Sequence, residues 1–428
     1  MGDASYACRS LDHLIARRRF MGGVAASLGA AAGLSYLTRP AAAQTLASDQ
    51  KRVLMIFLSG GLSQFESWDP KPATRYGGPF AAIPTSVPGV HVSELLPNTA
   101  RQMHRMLLVR GMSTPEKEHE QGTVVVRTGH DLSPGNEFPH LGAVVAKALH
   151  REGQSLPGNL TASTSAGGRS RDAAYLGPEF SAISVGGAEG LVNSSLPTGV
   201  TVDADGRRQA WRRAINDRFL ANRRSAETDA YVQSYEQALE LMRQRQVFDI
   251  AREPERDQAR YGKTAFGRSL LLARRLIEHG VPFVEVGHGN YDTHANNFNF
   301  HIDHLDEFDA CFPLIIADLA ERGLLQHTLV LVLSEFGRSP EISPYFGREH
   351  WSQSWSLLMA GCGVPAGGVY GATNALGTEV VEGRVDHRQM FHTVLSAVGI
   401  DSSGEFVVEG RSYPVADPSA GPVKELLA

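Results

Sequence analysis

The stretch Thr328–Trp351, TLVLVLSEFGRSPEISPYFGREHW, decides how the rest of the chain is read. Its first six residues, Thr328 to Leu333, are continuously apolar or β-branched. A run of that length without polar alternation suits a strand buried on both faces, as in a parallel sheet. The run stops at Ser334-Glu335-Phe336-Gly337-Arg338. A carboxylate and a guanidinium therefore stand at the C-terminal edge of a core strand, where open α/β sheets hold their ligands. Gly347-Arg348-Glu349-His350-Trp351 then adds a second guanidinium and an imidazole. A surface loop with ordinary charges explains less well why so many site-type side chains directly follow a buried strand.

Other segments repeat this pattern. Arg52–Leu58 (RVLMIFL) reads as the first core strand and ends at Ser59-Gly60-Gly61-Leu62-Ser63-Gln64-Phe65-Glu66. The glycines permit a tight turn and close backbone approach, which places Ser63, Gln64 and Glu66 near the same edge as Glu335. Met106–Arg110 reads as a third strand, followed by a polar segment carrying His119. Pro282–Val286 is a strand that feeds Asn290-Tyr291-Asp292-Thr293-His294, and Trp355–Ala360 is a further one. Helices are expected over Ala143–Leu149, Thr264–His279, about Ile302–Arg322, and Gln389–Val398. This alternation indicates an α/β fold with a parallel-rich, doubly wound sheet. Residues 131–205, rich in Gly, Pro, Ser and Asn, read as loops and short edge strands. Residues 206–253 are polar and helix-favouring, a helical excursion that covers the sheet or forms a lid. Tyr231, Tyr235, Ala238 and Met242 recur there at helical spacing and are expected to form one buried face.

The N-terminus reads as a targeting segment. Arg17-Arg18-Arg19 precedes Phe20-Met21, a mild Ala/Gly-rich run to Leu37, and a small-residue cleavage site at Ala41-Ala42-Ala43. The pattern resembles a twin-arginine export signal, with Ala16 where Ser or Thr is usual. The expected organisation is a signal over residues 1–43 and one domain over 44–428, working in the periplasm. The apolar run is too short and Ala/Gly-rich for stable membrane insertion. Residues 1–43 hold five basic and two acidic residues, so their removal takes the formal charge from −5 to −8. An acidic chain is a poor nonspecific binder of nucleic acid or anionic membrane. Cys311 and Cys362 are the cysteines left after residue 43, and two buried thiols are expected rather than a disulfide framework.

Asp292, His294, Glu335 and His350 are then metal-ligand types gathered at strand ends. Mixed imidazole and carboxylate donors suit Zn²⁺, Mn²⁺ or Fe²⁺ better than Mg²⁺ or Ca²⁺. Asp-x-His alone is common, and a hydrogen-bonded pair is its plainer meaning. His301 and His304 form a His-x-x-His pair expected on the outer face of a helix. Arg338 and Arg348 flank the set, and guanidinium forks bind carboxylate, phosphate or sulfate. Each could equally pair with Glu335 or Glu349 and only hold the loop.

The segments RYG (260–262), LLLARRLIEHGVPFVEV (270–286), YDTHANN (291–297), SEFGRSP (334–340), GREHW (347–351) and GVYGAT (368–373) resemble a bacterial family of exported proteins of uncharacterised function. That family is placed in the alkaline phosphatase and sulfatase superfamily. The resemblance implies a central mixed, largely parallel sheet between helix layers, and hydrolysis of phosphate or sulfate esters at a one- or two-metal site. It also exposes departures. The superfamily's first strand usually ends in a metal-binding Asp, where this chain has Ser59. Reading back from Thr128-Gly129, where the superfamily nucleophile is sought, leads to His119. An Asp-His-Gly motif becomes Glu335-Phe336-Gly337. Asp292, His294 and His350 then resemble one metal site, with Glu335 and His119 left from the other, and at most one tightly bound metal is implied.

Two functions are expected on these grounds. The first is a metal-dependent periplasmic hydrolase of a phosphate, sulfate or related ester, carried by a small anionic molecule or a glycan. In it Glu335 or His119 acts as general base on metal-activated water, Arg338 or Arg348 holds the anion, and Ser63 is a second candidate nucleophile. The alternative is a non-catalytic descendant that binds a glycan or a partner protein in a periplasmic assembly.

Overall fold

The computed structural model describes residues 50–162, 172–186, 191, 194–221 and 226–428, with 226–230 described by backbone alone. The expected export segment lies outside the described residues. The core is an eight-stranded sheet. Its strands are β1 (Arg52–Phe57), β2 (Met106–Met112), β3 (Asn159–Thr161), β4 (Ile183–Ser184), β5 (Phe283–Gly287), β6 (Thr328–Leu333), β7 (Trp355–Gly361) and β8 (Gly368–Tyr370). Across the sheet they run β8-β2-β7-β6-β1-β5-β3-β4. β1 pairs in parallel with β5 and β6. β7 runs antiparallel to both β6 and β2, while β8 is parallel to β2. All strands but β7 therefore point the same way. The C-terminal ends of β1, β2, β5 and β6 open onto one edge.

Alternation along the central strands explains why those runs are apolar throughout. Leu54 and Ile56 of β1, with Val330 and Val332 of β6, face one core. Val53, Met55 and Phe57, with Leu329, Leu331 and Leu333, face the other. Each fully buried side chain of this size contributes about 1.5–3 kcal/mol. Three helices cover the second face: α1 (His119–Thr128), α2 (Leu141–Ala148) and α7 (His387–Ala397). The first face is covered by α5 (Ala265–Glu278) and α6 (Asn297–Glu321). Helices on both faces of a mostly parallel sheet are the expected architecture. Thr264 caps α5 by accepting from the Gly267 N–H, and Asp386 closes a capping box with Gln389 on α7. Cys311 and Cys362 are buried and unbridged.

The excursion consists of α3 (Val202–Leu220) and α4 (Ala226–Arg243). α3 buries none of its residues. Here the sequence expectation fails: Tyr231 and Tyr235 are exposed, at 67% and 42%, Ala238 is exposed, and Met242 is half-buried. Leu239 and Leu241 are buried in their place. Helical spacing marks a face but not whether anything packs on it. The two tyrosines pack on each other, and Tyr235 also lies under the Arg212 guanidinium.

The motifs RYG and LLLARRLIEHG hold the scaffold together. Arg274 is fully buried and donates to Asp257 and Asp318, both at 3.0 Å. The Tyr261 hydroxyl donates to the same Asp318 oxygen, and Arg275 donates to the Val247 and Gln246 carbonyls. α6 begins at Asn297, five residues before the sequence signal, because its first turn is fixed by contacts from a distant hairpin. His301 is consequently fully buried rather than on the outer face, with Nδ1 on the Asn297 carbonyl. His304 is half-buried, with Nε2 on the Gly289 carbonyl.

Candidate metal centre

The turn after β1 is built from Gly60 and Gly61, at φ +105° and +74°. A Cβ on Gly60 would stand 2.6 Å from the Asp292 nitrogen, so only glycine lets the two loops meet. The Gly60 N–H donates to Glu335 Oε1 at 2.7 Å, and His119 Nδ1 meets the same oxygen at 2.6 Å. Ser334 bridges the ends of β1 and β6. Its hydroxyl donates to the Leu58 carbonyl at 2.6 Å and accepts from the Leu62 N–H at 3.1 Å. It also lies 3.0 Å from Glu335 Oε2. After Glu335 a hairpin forms from Gly337–Ile342 and Arg348–Trp351, with His350 opposite Arg338.

Asp292 Oδ1 is the hub. His294 Nε2 lies 2.9 Å from it, His119 Nε2 3.2 Å, and His350 Nε2 3.3 Å. His294 Nε2 and His350 Nε2 are 3.1 Å apart. Ligand atoms of His119, Asp292 and His350 all lie within 4.8 Å of one another. Arg338, fully buried, reaches the same Asp292 oxygen at 2.5 Å. Phe336, also fully buried, has its ring 5.0 Å from that of His119 and 4.9 Å from that of His350.

The outer nitrogens fix the tautomers. His350 Nδ1 faces the Lys117 carbonyl at 2.7 Å, and a carbonyl only accepts, so this nitrogen carries the proton. His119 Nδ1 faces Glu335, and His294 Nδ1 faces Glu349 Oε2 at 2.7 Å, which assigns both in the same way. Each ring turns its Nε2 to Asp292 Oδ1, where either a ring proton or a shared cation meets the carboxylate. With a cation in place of such protons, the Nε2 atoms of His119 and His350 and the Asp292 oxygen form a donor set of metal-ligand type. The donors of His119, Asp292 and His350 lie close enough together to share one cation. Imidazoles fixed through Nδ1 by carboxylate or carbonyl are the usual support of metal-binding histidines. The donor set thus fits a borderline cation such as Zn²⁺, Mn²⁺ or Fe²⁺.

Local electrostatics follow the same layout. Desolvation pushes the Asp292 carboxyl up, but Arg338, His119 and His294 outweigh it and hold it well below the usual carboxylate range. The hydrogen bond to Glu335 outweighs burial and raises the His119 pKa. Burial, Arg338 and His119 lower that of His350.

The structure brings together five of the residues singled out in the sequence: Asp292, His294, His350, His119 and Glu335. Glu335 takes an outer place, one bond behind His119 and 1% exposed. His119 takes an inner place, because α1 starts there and sets its ring over the edge. Of the other three, the two arginines take the loop-holding alternative, with Asp292 and Glu66 as their carboxylates instead of Glu335 or Glu349. Arg338 spends its donors on Asp292 and on the Gly60, Gly61 and Arg348 carbonyls. Arg348 is fully buried, bound to Glu66 and to the Ser339, Pro340 and Tyr76 carbonyls, so it has no fork to offer an anion. Ser63 is fully buried beside Glu66 and faces no substrate. Gln64, placed at this edge by the sequence, Glu349, and the Lys117 carbonyl, which the sequence did not announce, support the centre. Gln64 clamps the backbone of Arg338 through both amide atoms.

A family model described as "Protein of unknown function (DUF1501)" matches residues 50–427. The chain belongs to this family. No curated protein matches the sequence. Among solved structures, the chain is similar to the PsFucS1 sulfatase from Pseudoalteromonas sp., at 14% identity and TM-score 0.39, over 91% of this chain and 76% of that one. It is similar to an alkaline phosphatase from the Antarctic bacterium TAB5, at 14% identity and TM-score 0.37, over 83% of this chain and 99% of that one. It is also similar to the lipoteichoic acid synthase LtaP from Listeria monocytogenes, at 8% identity and TM-score 0.36, over 87% of this chain and 76% of that one.

Proposed function

We propose that this protein is a metal-dependent hydrolase of phosphate, sulfate or related esters, exported to the periplasm through its Arg17-Arg18 segment. The convergence of His119, His294 and His350 Nε2 on Asp292 Oδ1, with every Nδ1 committed elsewhere, carries the reading. A divalent cation would be held by His119, Asp292 and His350, with His294 beside them, and would supply Lewis-acid polarisation of an ester oxygen and activation of water. The chain's own residues do the rest. Arg338 keeps Asp292 ionised and aimed inward. Glu335, Glu349 and the Lys117 carbonyl set the three rings. Phe336 closes the floor of the site against water. The side chains of Asp292, His294 and His119 are 43%, 43% and 33% exposed, so the upper face is open to a substrate.

The test is elemental analysis of protein purified without chelators, with His350→Ala alongside, followed by a screen of phosphate and sulfate esters before and after metal stripping. About one transition metal per chain in the wild type, its loss in the variant, and chelator-sensitive hydrolysis are expected. Hydrolysis that survives stripping refutes the reading.

One observation favours a second reading, a binding protein without chemistry. The hydroxyls beside the centre, Ser63 and Ser334, are both buried. Stoichiometric metal without turnover of any ester supports that alternative.

A further inference from the structure

The turn of the hairpin that carries His350 has an unusual tip. Tyr345 and Phe346 are 75% and 65% exposed. Phe346 has φ +58°, a left-handed conformation that bulky residues rarely adopt. Its carbonyl accepts from the Asn297 N–H at 2.9 Å, and the Tyr345 carbonyl accepts from the Asn296 N–H at 3.1 Å. These bonds tie the tip to the first turn of α6, immediately after His294. The next residue packs closer still: a Cβ on Gly347 would stand 1.8 Å from the His294 carbonyl oxygen. The tip is thus a rigid extension of the metal centre.

Burial does not explain the two rings, since both face water. Backbone preference does not explain Phe346, since glycine or asparagine takes left-handed φ at lower cost. Strain at an exposed aromatic beside a candidate centre points to use of the ring. The apolar area is too small for a stable protein interface, which needs about 800 Å² per partner. Polar groups adjoin it in the chain: the Ser343 hydroxyl accepts from the Tyr345 N–H, and the Asn296 N–H meets the Tyr345 carbonyl. A partner that suits it has a small apolar face and hydrogen-bonding edges.

We infer that Tyr345 and Phe346 form a stacking platform for a saccharide ring, so that the ester presented to the metal centre is carried on a glycan. A pyranose offers an apolar C–H face to an aromatic ring and directs its hydroxyls outward. The Tyr345 hydroxyl, at the edge of its ring, can meet such groups. This inference rests on reading the histidine cluster as an ester-hydrolysis site, but its test needs no turnover.

The test is affinity gel electrophoresis of the full chain in gels containing dextran, dextran sulfate or heparin, beside sedimentation with anionic phospholipid vesicles. Retardation by at least one polysaccharide is expected. Tyr345→Ala and Phe346→Gly should each weaken it about tenfold. His350→Ala should retain it, so loss of the metal reading and loss of the platform are separable. Phe346→Gly also removes the strained side chain, so its melting temperature should equal or exceed that of the wild type. Lack of retardation by every polysaccharide overturns the inference, as does retardation unchanged in both variants. Vesicle binding without polysaccharide binding, or a marked fall in stability of Phe346→Gly, overturns it equally.

Discussion

Glu335→Gln separates an orienting role from a ligating one. In the native centre Glu335 Oε1 accepts from the Gly60 N–H and from His119 Nδ1, while Oε2 lies by Ser334 Oγ. Glutamine has the same shape. Its amide oxygen can take the Oε1 place and keep both donors. Its NH₂ then faces Ser334 Oγ, which already donates to the Leu58 carbonyl and retains a lone pair. One N–H of that amide meets Ser334 Oγ and the other is left unmet, at a cost of about 1–3 kcal/mol. The melting temperature should fall by no more than about 4 °C. What is lost is the negative charge behind His119, which makes its Nε2 a stronger ligand. Loss of such an outer partner weakens metal binding about 10–100-fold, or ~1.4–2.8 kcal/mol. Competition of the stripped protein with a chromophoric chelator for Zn²⁺, at fixed pH, reads this directly. Affinity within twofold of the wild type refutes the orienting role. A loss beyond about a thousandfold, some 4 kcal/mol, refutes the assignment of Glu335 to the outer ring and makes it a ligand.

Two further perturbations probe the support of the site. Gly347→Ala touches no ligand, yet its Cβ would fall 1.8 Å from the His294 carbonyl oxygen and 2.5 Å from the Ala295 nitrogen. The hairpin must shift away from His294, at about 1–3 kcal/mol of stability and with at least tenfold weaker Zn²⁺ binding, read by the same competition and by thermal melting. Glu66→Ala leaves Arg348 buried without its carboxylate, which should cost about 3–5 kcal/mol in urea unfolding at pH 7. The pH dependence has a definite sign. Burial pushes the Glu66 carboxyl up, but Arg348 and His301 outweigh it, and the folded pKa lies below the unfolded value. The stabilisation from the ionised pair is complete above the ordinary carboxylate range and is lost as pH falls through the folded pKa. The stability gap between wild type and variant should therefore narrow as pH falls below the ordinary carboxylate range, and a gap that widens on acidification contradicts the pairing.

Much of the architecture was legible along the chain. The apolar runs at 52–58 and 328–333 became neighbouring central strands, because a strand buried on both faces leaves no room for polar alternation. Thr264 and Gly280 framed a helix through local capping chemistry that needs no distant partner. The YDTHANN and GREHW segments carried Asp292, His294 and His350, which the fold draws within 3.3 Å. Other features were not legible. Arg338 and Arg348 have the same composition whether they face a ligand or a buried carboxylate. Only the pairing of Arg348 with Glu66, 282 residues apart in sequence, decides which. Helical spacing in 231–242 could not tell a packed face from an exposed one.

The chain itself determined which residue types end the strands, because the local hydrophobic pattern fixes where each strand stops and which side chains come next. The tertiary structure decided which nitrogen of each histidine points inward and which acid stands behind it. Those choices depend on Lys117, on Glu335 at the end of β6 and on Glu349 in the hairpin after it, which meet the rings only once the sheet has brought the strand ends side by side.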